Sequence, residues 1–152
     1  MQATEYLNKP RELDNEVEKC RGKELELWAA ITRTTQLSDG MPHVTSDPDK
    51  ITVNVQKLME ARERTNAAID RYVDVKQDVI EHIKMLSKKQ YDVLYWLYIK
   101  KRTKRKPGQK LYFTWSEVAE HLGCTEQNIQ KLRTKGIENL QKILDSEGKN
   151  EK

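Results

Sequence analysis

The chain has 152 residues, of which 34% are charged and 36% are hydrophobic, and its formal net charge at pH 7 is +4. This length allows one or two small domains, and the composition favours an all-α fold with long solvated helices. The sequence has no run of 18 apolar residues and no secretory leader, which excludes a membrane partner and favours the cytoplasm. Its two cysteines, Cys20 and Cys124, lack metal-ligand spacing, so we expect no disulfide framework, metal or cofactor.

The first 37 residues predict one long helix. It begins either near Thr4, with Pro10 inside it, or at Pro10 itself, because proline is tolerated in a first helical turn. Apolar residues then recur with the four- and three-residue spacing of a coiled-coil seam, at Leu13, Val17, Cys20, Leu27 and Ile31. Leu25 and Trp28 lie off this seam and would widen the buried face. An exposed loop is predicted over residues 38–48, which contain Gly40, Pro42, His43 and Pro48.

A second long helix is predicted over residues 49–86. Its seam positions are Ile51, Val55, Leu58, Ile69, Tyr72, Val79, Ile83 and Leu86, and Arg62, Thr65 and Lys76 interrupt them. Glu60 and Arg64 are spaced to pair on its surface. With the first helix it predicts a long antiparallel helical hairpin of coiled-coil type, so residues 1–86 form the predicted oligomerisation region.

The two predicted helices differ in length. At ~1.5 Å per residue, residues 49–86 would span about 57 Å and residues 11–37 about 40 Å. Val79, Ile83 and Leu86 would therefore extend beyond the first helix and need another apolar surface. Either the carboxy-terminal domain or a second subunit could supply it, and the second possibility leads to the hypothesis of a homodimer or higher oligomer.

The next helix begins at a capping box of Ser87 and Gln90. The aromatic residues that follow have helical spacing and are interpreted as core packing; they are Tyr91, Tyr95, Trp96 and Tyr98. Residues 100–110 then contain seven basic side chains and no acidic one, with a turn at Pro107-Gly108. Residues 111–113 could form a short strand, which would make this basic loop a small wing.

The basic charge is concentrated in the second half of the chain. Residues 1–86 contain 13 Lys or Arg and 16 Asp or Glu, a net charge of −3, whereas residues 87–152 contain 15 and 8, a net charge of +7. A basic module of this kind is the electrostatic pattern of nucleic-acid binding.

Two helices joined by a tight turn are predicted over residues 114–144. Thr114 and Glu117 form a capping box, Gly123 suits a left-handed helix end, and Thr125 can cap the next helix. The small Ala119 and the apolar Ile129 have the positions that a DNA-binding helix-turn-helix requires. Residues 87–145 are therefore the predicted DNA-binding domain, and residues 146–152 a frayed tail.

Several residues of this domain follow a known pattern. They are Trp115-Ser116-Glu117-Val118-Ala119, Leu122-Gly123, Thr125, Ile129, the apolar spacing from Leu132 to Leu140, and the preceding segment from Lys88 to Tyr98. This pattern resembles the terminal DNA-reading domain of bacterial sigma factors, although the basic insert 100–110 stands where sigma factors have a short link. The combination of this pattern with a long helical region before it resembles the ArpU/RinA-type late-gene activators of phages of Gram-positive bacteria. The resemblance implies a transcriptional activator in the cytoplasm of a bacterial host cell.

A helix-turn-helix places the exposed face of its second helix in the major groove, amino end first. The predicted base-reading residues are Thr125, Glu126, Gln127, Asn128, Gln130 and Lys131. A glutamine amide can bridge adenine N6 and N7, a glutamate can accept from cytosine N4, and a lysine can reach guanine O6 or N7. Nine basic residues are predicted to contact phosphates, which position a protein without specifying sequence: Lys100, Lys101, Arg102, Lys104, Arg105, Lys106, Lys110, Arg133 and Lys135.

Three functions are compatible with these patterns. The first is a dimeric, sequence-specific regulator of transcription that binds double-stranded DNA. The second is a small-terminase-like subunit that recognises DNA for packaging, and the third is a sigma-like adaptor whose main partner is RNA polymerase. We do not expect an enzyme, because the sequence contains no Gly-rich phosphate loop, metal-ligand cluster or nucleophile motif.

Overall fold

The computed structural model describes residues 2–38, 48–104 and 106–150, and within them all regular secondary structure is helical. The elements are α1 (Ala3–Ser38), α2 (Pro48–Ile83), α3 (Lys88–Leu94), a π-helix (Tyr95–Ile99), α4 (Trp115–Leu122) and α5 (Glu126–Asn150). No strand forms in these ranges, and an isolated β-bridge joins Lys101 to Tyr112. The all-α prediction is confirmed. Most of the predicted loop 38–48, including His43, lies outside the described residues.

Helix α1 begins at Ala3 and continues through Pro10, which is buried inside it. Of the two predicted starts, the one near Thr4 is therefore the observed one. Pro10 has no N–H to donate to the preceding turn, so packing, rather than backbone hydrogen bonding, must support the helix here. Because of this early start, α1 and α2 each contain 36 residues, and the predicted difference in helix length is wrong.

The chain divides into two compact units. One contains residues 1–11 and 74–152, and the other contains residues 12–73. The first turns of α1 and the last turns of α2 thus pack with the carboxy-terminal helices. The boundary predicted at residue 86 lies just after the end of a helix. The boundaries between the compact units lie inside the two long helices instead, after residue 11 and before residue 74.

The core of the first unit combines residues that are far apart in the sequence. Leu7 of α1 and Val79 and Ile83 of α2 are fully buried in one cluster, together with Leu94 and Ile129. Leu86 packs against the same cluster. The apolar residues at the end of α2 are therefore covered by this chain itself, and they do not require a second subunit.

The second unit is held by a narrow contact between α1 and α2. Val17 and Leu58 are buried, as the predicted seams require, and the small residues Ala61 and Ala68 are buried with them. Thr65 is buried too, and its hydroxyl donates to the Ala61 carbonyl at 2.9 Å. Arg62 Nε lies 3.2 Å from Glu24 Oε1 across the two helices.

Of the other features predicted for this unit, the surface ion pair is observed, whereas part of the predicted buried seam is exposed. The Glu60–Arg64 pair is present, with its atoms 4.0 Å apart at the surface. The predicted seam fails at its outer end, where Ile51 and Val55 are exposed, and Leu25 and Trp28 do not widen a buried face because they are exposed as well.

The π-helix explains why so many apolar residues follow one another after α3. The Lys100 N–H donates to the Tyr95 carbonyl at 2.9 Å, a bond that spans five residues instead of four. Three consecutive residues, Leu97, Tyr98 and Ile99, are buried as a result. The other aromatic side chains of this segment pack against the core, which confirms their predicted role.

Gly136 marks the closest approach of α5 to α3. A Cβ atom at this position would lie 3.1 Å from Leu94 Cδ1 and 3.4 Å from Leu94 Cγ. We expect Gly136→Val to lower the free energy of unfolding by about 1–3 kcal/mol, because over-packing a filled core costs this much. Urea unfolding followed by circular dichroism measures the loss. The matched control is Gly148→Val on the same helix, where an added Cβ would meet no described heavy atom within 4 Å apart from its chain neighbours and the backbone of its own helix. Equal unfolding midpoints for the two variants would contradict the close approach.

Candidate nucleic-acid interface

Helix α4 begins with the predicted capping box. The Thr114 hydroxyl oxygen accepts from the Glu117 N–H at 3.5 Å and donates to Glu117 Oε1 at 3.0 Å. Val118 and Ala119 of this helix are buried. The box therefore fixes where the helix starts, and with it which of its faces meets α5.

The turn between α4 and α5 is made by Gly123, Cys124 and Thr125. Gly123 has φ +66°, in the left-handed region that favours glycine, and its N–H and that of Cys124 bond the last carbonyls of α4. Thr125 Oγ accepts from the Asn128 N–H at 3.2 Å and so caps α5. The two predictions for this turn, the left-handed Gly123 and the Thr125 cap, are confirmed, as is the capping box of α4.

The six predicted base-reading residues are all exposed at the start of α5: Thr125, Glu126, Gln127, Asn128, Gln130 and Lys131. The fully buried Ile129 sets this orientation. Two of the six have intramolecular roles, since Thr125 is the cap and Glu126 accepts a hydrogen bond from the Ser116 hydroxyl of α4. Gln127, Gln130 and Lys131 provide the amide and ammonium groups of the outer face.

A groove of about 800 Å³ runs along this outer face. Three lysines line it, Lys131 and Lys135 of α5 and Lys89 of α3, together with Glu138. Lys89 was not among the predicted residues. The Lys88-Lys89 pair directly after the Ser87 cap is the signal that could have identified it.

Arg133 lies on the opposite flank of α5 from Lys135. Its Nε donates to the Tyr98 hydroxyl at 2.9 Å, and its guanidinium carbon lies 5.2 Å from the centre of the Trp115 ring. The two predicted phosphate contacts of α5 therefore lie on either side of its outer face.

The basic loop 100–110 is joined to α4 through Arg102. The Arg102 guanidinium forms an ion pair with Glu117, and its Nε donates to the Lys110 carbonyl at 2.7 Å. The hydrogen bond from Arg102 lowers the pKa of Glu117. Desolvation opposes this shift, and the hydrogen bonds with Thr114 add to it. Only 9% of the Arg102 side chain is exposed. Arg102 therefore holds the loop in place, and its predicted contact with phosphate has no exposed guanidinium to support it.

The other basic residues of the loop differ in exposure. Lys104, Lys106 and Lys110 are exposed, whereas Lys100 lies 4.0 Å above the Trp96 ring and Lys101 forms the bridge to Tyr112. Arg105 is outside the described residues. The predicted turn is present, with Gly108 at φ +81°. The predicted strand at 111–113 is reduced to the single bridge.

A second cluster was not identified from the sequence. The Tyr6 hydroxyl donates to Asp78 Oδ2 at 2.5 Å and lies 2.8 Å from His82 Nδ1, and His82 Nε2 lies 2.7 Å from Glu147 Oε2. Burial and the Asp78 carboxylate raise the pKa of Tyr6, so its hydroxyl stays protonated. The contact with Glu147 also lies in the part of α5 that was predicted to be a frayed tail and that the structure describes as helix up to Asn150.

Comparison of the chain with family models, with curated proteins and with solved structures finds no match. Among the described residues, no group of three His, Cys, Asp or Glu is arranged to hold a metal ion. None of the helices in that part of the chain has the length and apolar character needed to cross a membrane.

Proposed function

We propose that this protein is a sequence-specific regulator of transcription that binds double-stranded DNA through a helix-turn-helix formed by α4 and α5. The observation that carries the proposal is the outer face of α5, where Gln127, Gln130 and Lys131 are exposed next to a lysine-lined groove. Amide and ammonium groups on one exposed helix face are those that read base edges in a major groove. The proposed role is binding, not catalysis.

We narrow the proposed phosphate contacts to the exposed cations around this face. Lys135 and Lys89 border one side of the proposed reading face, Arg133 borders the other, and Lys104, Lys106 and Lys110 extend from the loop. Phosphates of the two strands flank a major groove, so cations on both sides of the inserted helix suit this docking. Arg102 serves instead to position the loop.

The regulatory sign and the phage context rest on the resemblance to ArpU/RinA-type activators of late genes. Under this proposal, the protein acts in the cytoplasm of a bacterial host. RNA polymerase would then be a partner in addition to DNA. Contact with polymerase would explain activation by a protein that binds near a promoter.

The proposal is tested by sequencing what the protein retains from sheared DNA of its source genome at about 150 mM salt, a concentration at which binding through phosphates alone is weakened. We expect one sharp peak upstream of an operon. A peak beside packaging genes would favour a terminase subunit. Retention of all fragments equally would contradict sequence-specific binding and would leave specificity to a partner such as polymerase.

We also propose that the hairpin of α1 and α2 forms a homodimer through residues 12–73. Seven large apolar side chains among the described residues of this unit are exposed: Leu25, Trp28, Ile51, Val53, Val55, Met59 and Val73. Several exposed apolar residues within one small unit indicate a surface that a partner covers. A two-fold dimer would also match a pair of half-sites in the DNA.

Light scattering should therefore give about twice the monomer mass of 17.9 kDa at micromolar concentration. Trp28→Gln combined with Met59→Gln should shift the protein to monomer. Met85→Gln is the control, because Met85 is equally exposed but belongs to the other unit. A monomeric wild type would contradict the dimer, and a ring of many subunits would favour the packaging function.

A further inference from the structure

A cleft of about 280 Å³ lies beside the proposed DNA-reading face, within the unit of residues 1–11 and 74–152. It is lined by residues of α1, the π-helix, α4 and α5, among them Arg11, Tyr98, Trp115 and Arg133. We call it the arginine cleft. Its volume is just below the range typical of sites for drug-sized ligands, about 300–1,000 Å³, and so suits a small group.

Arg11 is held in this cleft by backbone carbonyls and aromatic rings. Its Nε donates to the Tyr98 carbonyl at 3.3 Å, and another of its nitrogens donates to the Leu97 carbonyl. Its guanidinium carbon lies 3.9 Å from the centre of the Tyr112 ring. Burial lowers the pKa of Arg11, because desolvation disfavours the charged guanidinium, while Tyr112 and Tyr98 oppose this effect.

Arg133 supplies the second cation of the cleft. Its bond to the Tyr98 hydroxyl uses Nε, and a guanidinium has four further N–H donors on its two Nη atoms. No aspartate or glutamate is among the lining residues that belong to the described part of the chain. Two guanidinium groups without a carboxylate, next to an exposed Trp115 ring, form a site of uncompensated positive charge that an anion would stabilise.

We propose that the arginine cleft is an oxyanion site that binds a phosphate group, which in the DNA complex is a phosphate of the backbone. Guanidinium forks bind phosphate oxygens in a bidentate manner, which fits this ligand better than a halide or a single hydroxyl. The identity of the natural occupant rests on the proposed function. On that basis Arg11, more than 100 residues before α5 in the sequence, becomes part of the interface with DNA.

Thermal unfolding in inorganic phosphate tests the site without DNA. Sodium chloride at the same ionic strength is the reference, because phosphate also stabilises proteins in general by exclusion from their surface. We expect the melting temperature of the wild type to rise saturably at millimolar phosphate. For Arg133→Gln, the melting temperature should show only the general, non-saturating rise with phosphate. Arg71→Gln changes an exposed residue of the other unit and should behave as the wild type does. Equal rises for the wild type and Arg133→Gln would overturn the site.

Binding to duplex DNA tests the occupant. Arg133→Gln should weaken binding about tenfold for all sequences alike, the effect of losing a strong phosphate contact. Arg11→Lys keeps the charge but removes the fork, so it should lose the response to phosphate while remaining folded by circular dichroism. If Arg133→Gln loses the phosphate response but binds DNA as the wild type does, the backbone phosphate is excluded as the occupant. If the wild type responds to phosphate but does not bind duplexes, the oxyanion site stands and the proposed function fails.

Discussion

Replacing Lys131 and Lys135 together by glutamate should lower the affinity for duplex DNA by more than about a hundredfold. Loss of a base-contacting side chain costs about 1–3 kcal/mol, and each 1.4 kcal/mol is about a factor of ten. Reversal of charge adds repulsion between the new carboxylates and the phosphates. Lys131 is exposed on the proposed reading face and Lys135 is exposed at its border, so the fold should be unaffected.

The control for this change is Lys142→Glu with Lys149→Glu. These residues are exposed on the same helix and produce the same change in net charge. Lys142 lies eleven residues beyond Lys131, about 16 Å along the helix at ~1.5 Å per residue. Fluorescence anisotropy at constant salt measures both variants. Equal losses of affinity would mean that net charge, and not the outer face of α5, determines binding.

The two lysines should also be separable. Lys131→Ala should relax the preference at one base pair, whereas Lys135→Ala should weaken binding to all sequences equally and reduce its salt dependence. This difference distinguishes reading of a base from contact with a phosphate.

The stability that His82 contributes should be lost as the pH rises through the pKa of this histidine. Tyr6 gives its one proton to Asp78, so His82 Nδ1, which lies 2.8 Å from the Tyr6 hydroxyl and 2.8 Å from the Asp78 carbonyl, must be a donor. His82 Nε2 faces the Glu147 carboxylate and must donate as well. Both ring nitrogens thus have acceptors as partners, which the charged imidazolium satisfies and the neutral ring does not.

The direction of the pH dependence follows from this geometry. Burial lowers the pKa of His82, but the bonds to the Asp78 carbonyl and Glu147 and the charges of both carboxylates outweigh it, so the pKa is raised above its ordinary value of 6.5. A histidine whose pKa is higher in the folded state stabilises the fold fully below the pKa of the unfolded chain. That contribution disappears as the pH rises through the folded-state pKa.

We therefore expect His82→Gln to lose about 1–3 kcal/mol of unfolding free energy at pH 6, the cost of hydrogen-bond partners left unsatisfied. The difference in unfolding free energy between His82→Gln and the wild type should become smaller by pH 9. Urea unfolding at several pH values measures it. His121→Gln is the control, because His121 stacks on the Trp96 ring at 4.8 Å instead. A difference that stays constant with pH would show that folding does not raise the pKa of His82.

The local features of α4 and α5 were predictable because their causes lie within a few residues. Thr114 and Glu117 form their cap from side chains three positions apart, and Gly123 is required by its own backbone angle. The exposure of Gln127 and Lys131 then follows from the burial of Ile129 through helical periodicity alone. Each of these relations involves residues that are only a few positions apart in the sequence.

The features that were missed depend on distant partners. Among the seven basic residues of segment 100–110, nothing local singles out Arg102, whose inward position is set by Glu117, 15 residues later. Contacts between helices that are remote in the sequence also place Arg11 and Arg133 in one cleft. The cluster around His82 depends on such contacts as well. The seam of α2 failed at Ile51 and Val55 because apolar spacing identifies a stripe on a helix but not whether a partner within the same chain covers it.

The core that joins the first turns of α1 to α5 has a consequence for how the protein is made. The Ala3 N–H donates to Gln141 Oε1 at 2.7 Å, a contact across 138 positions of the chain. Leu7 belongs to the same core cluster as residues of α5, the last helix to be synthesised. Its side chain therefore cannot be packed as in the native core until most of the chain has been translated. Contacts this distant in sequence slow folding, since a long loop must close before they form. The unit of residues 1–11 and 74–152 is therefore expected to complete its folding only after synthesis of α5, and residues 87–152 expressed alone should not reproduce its core.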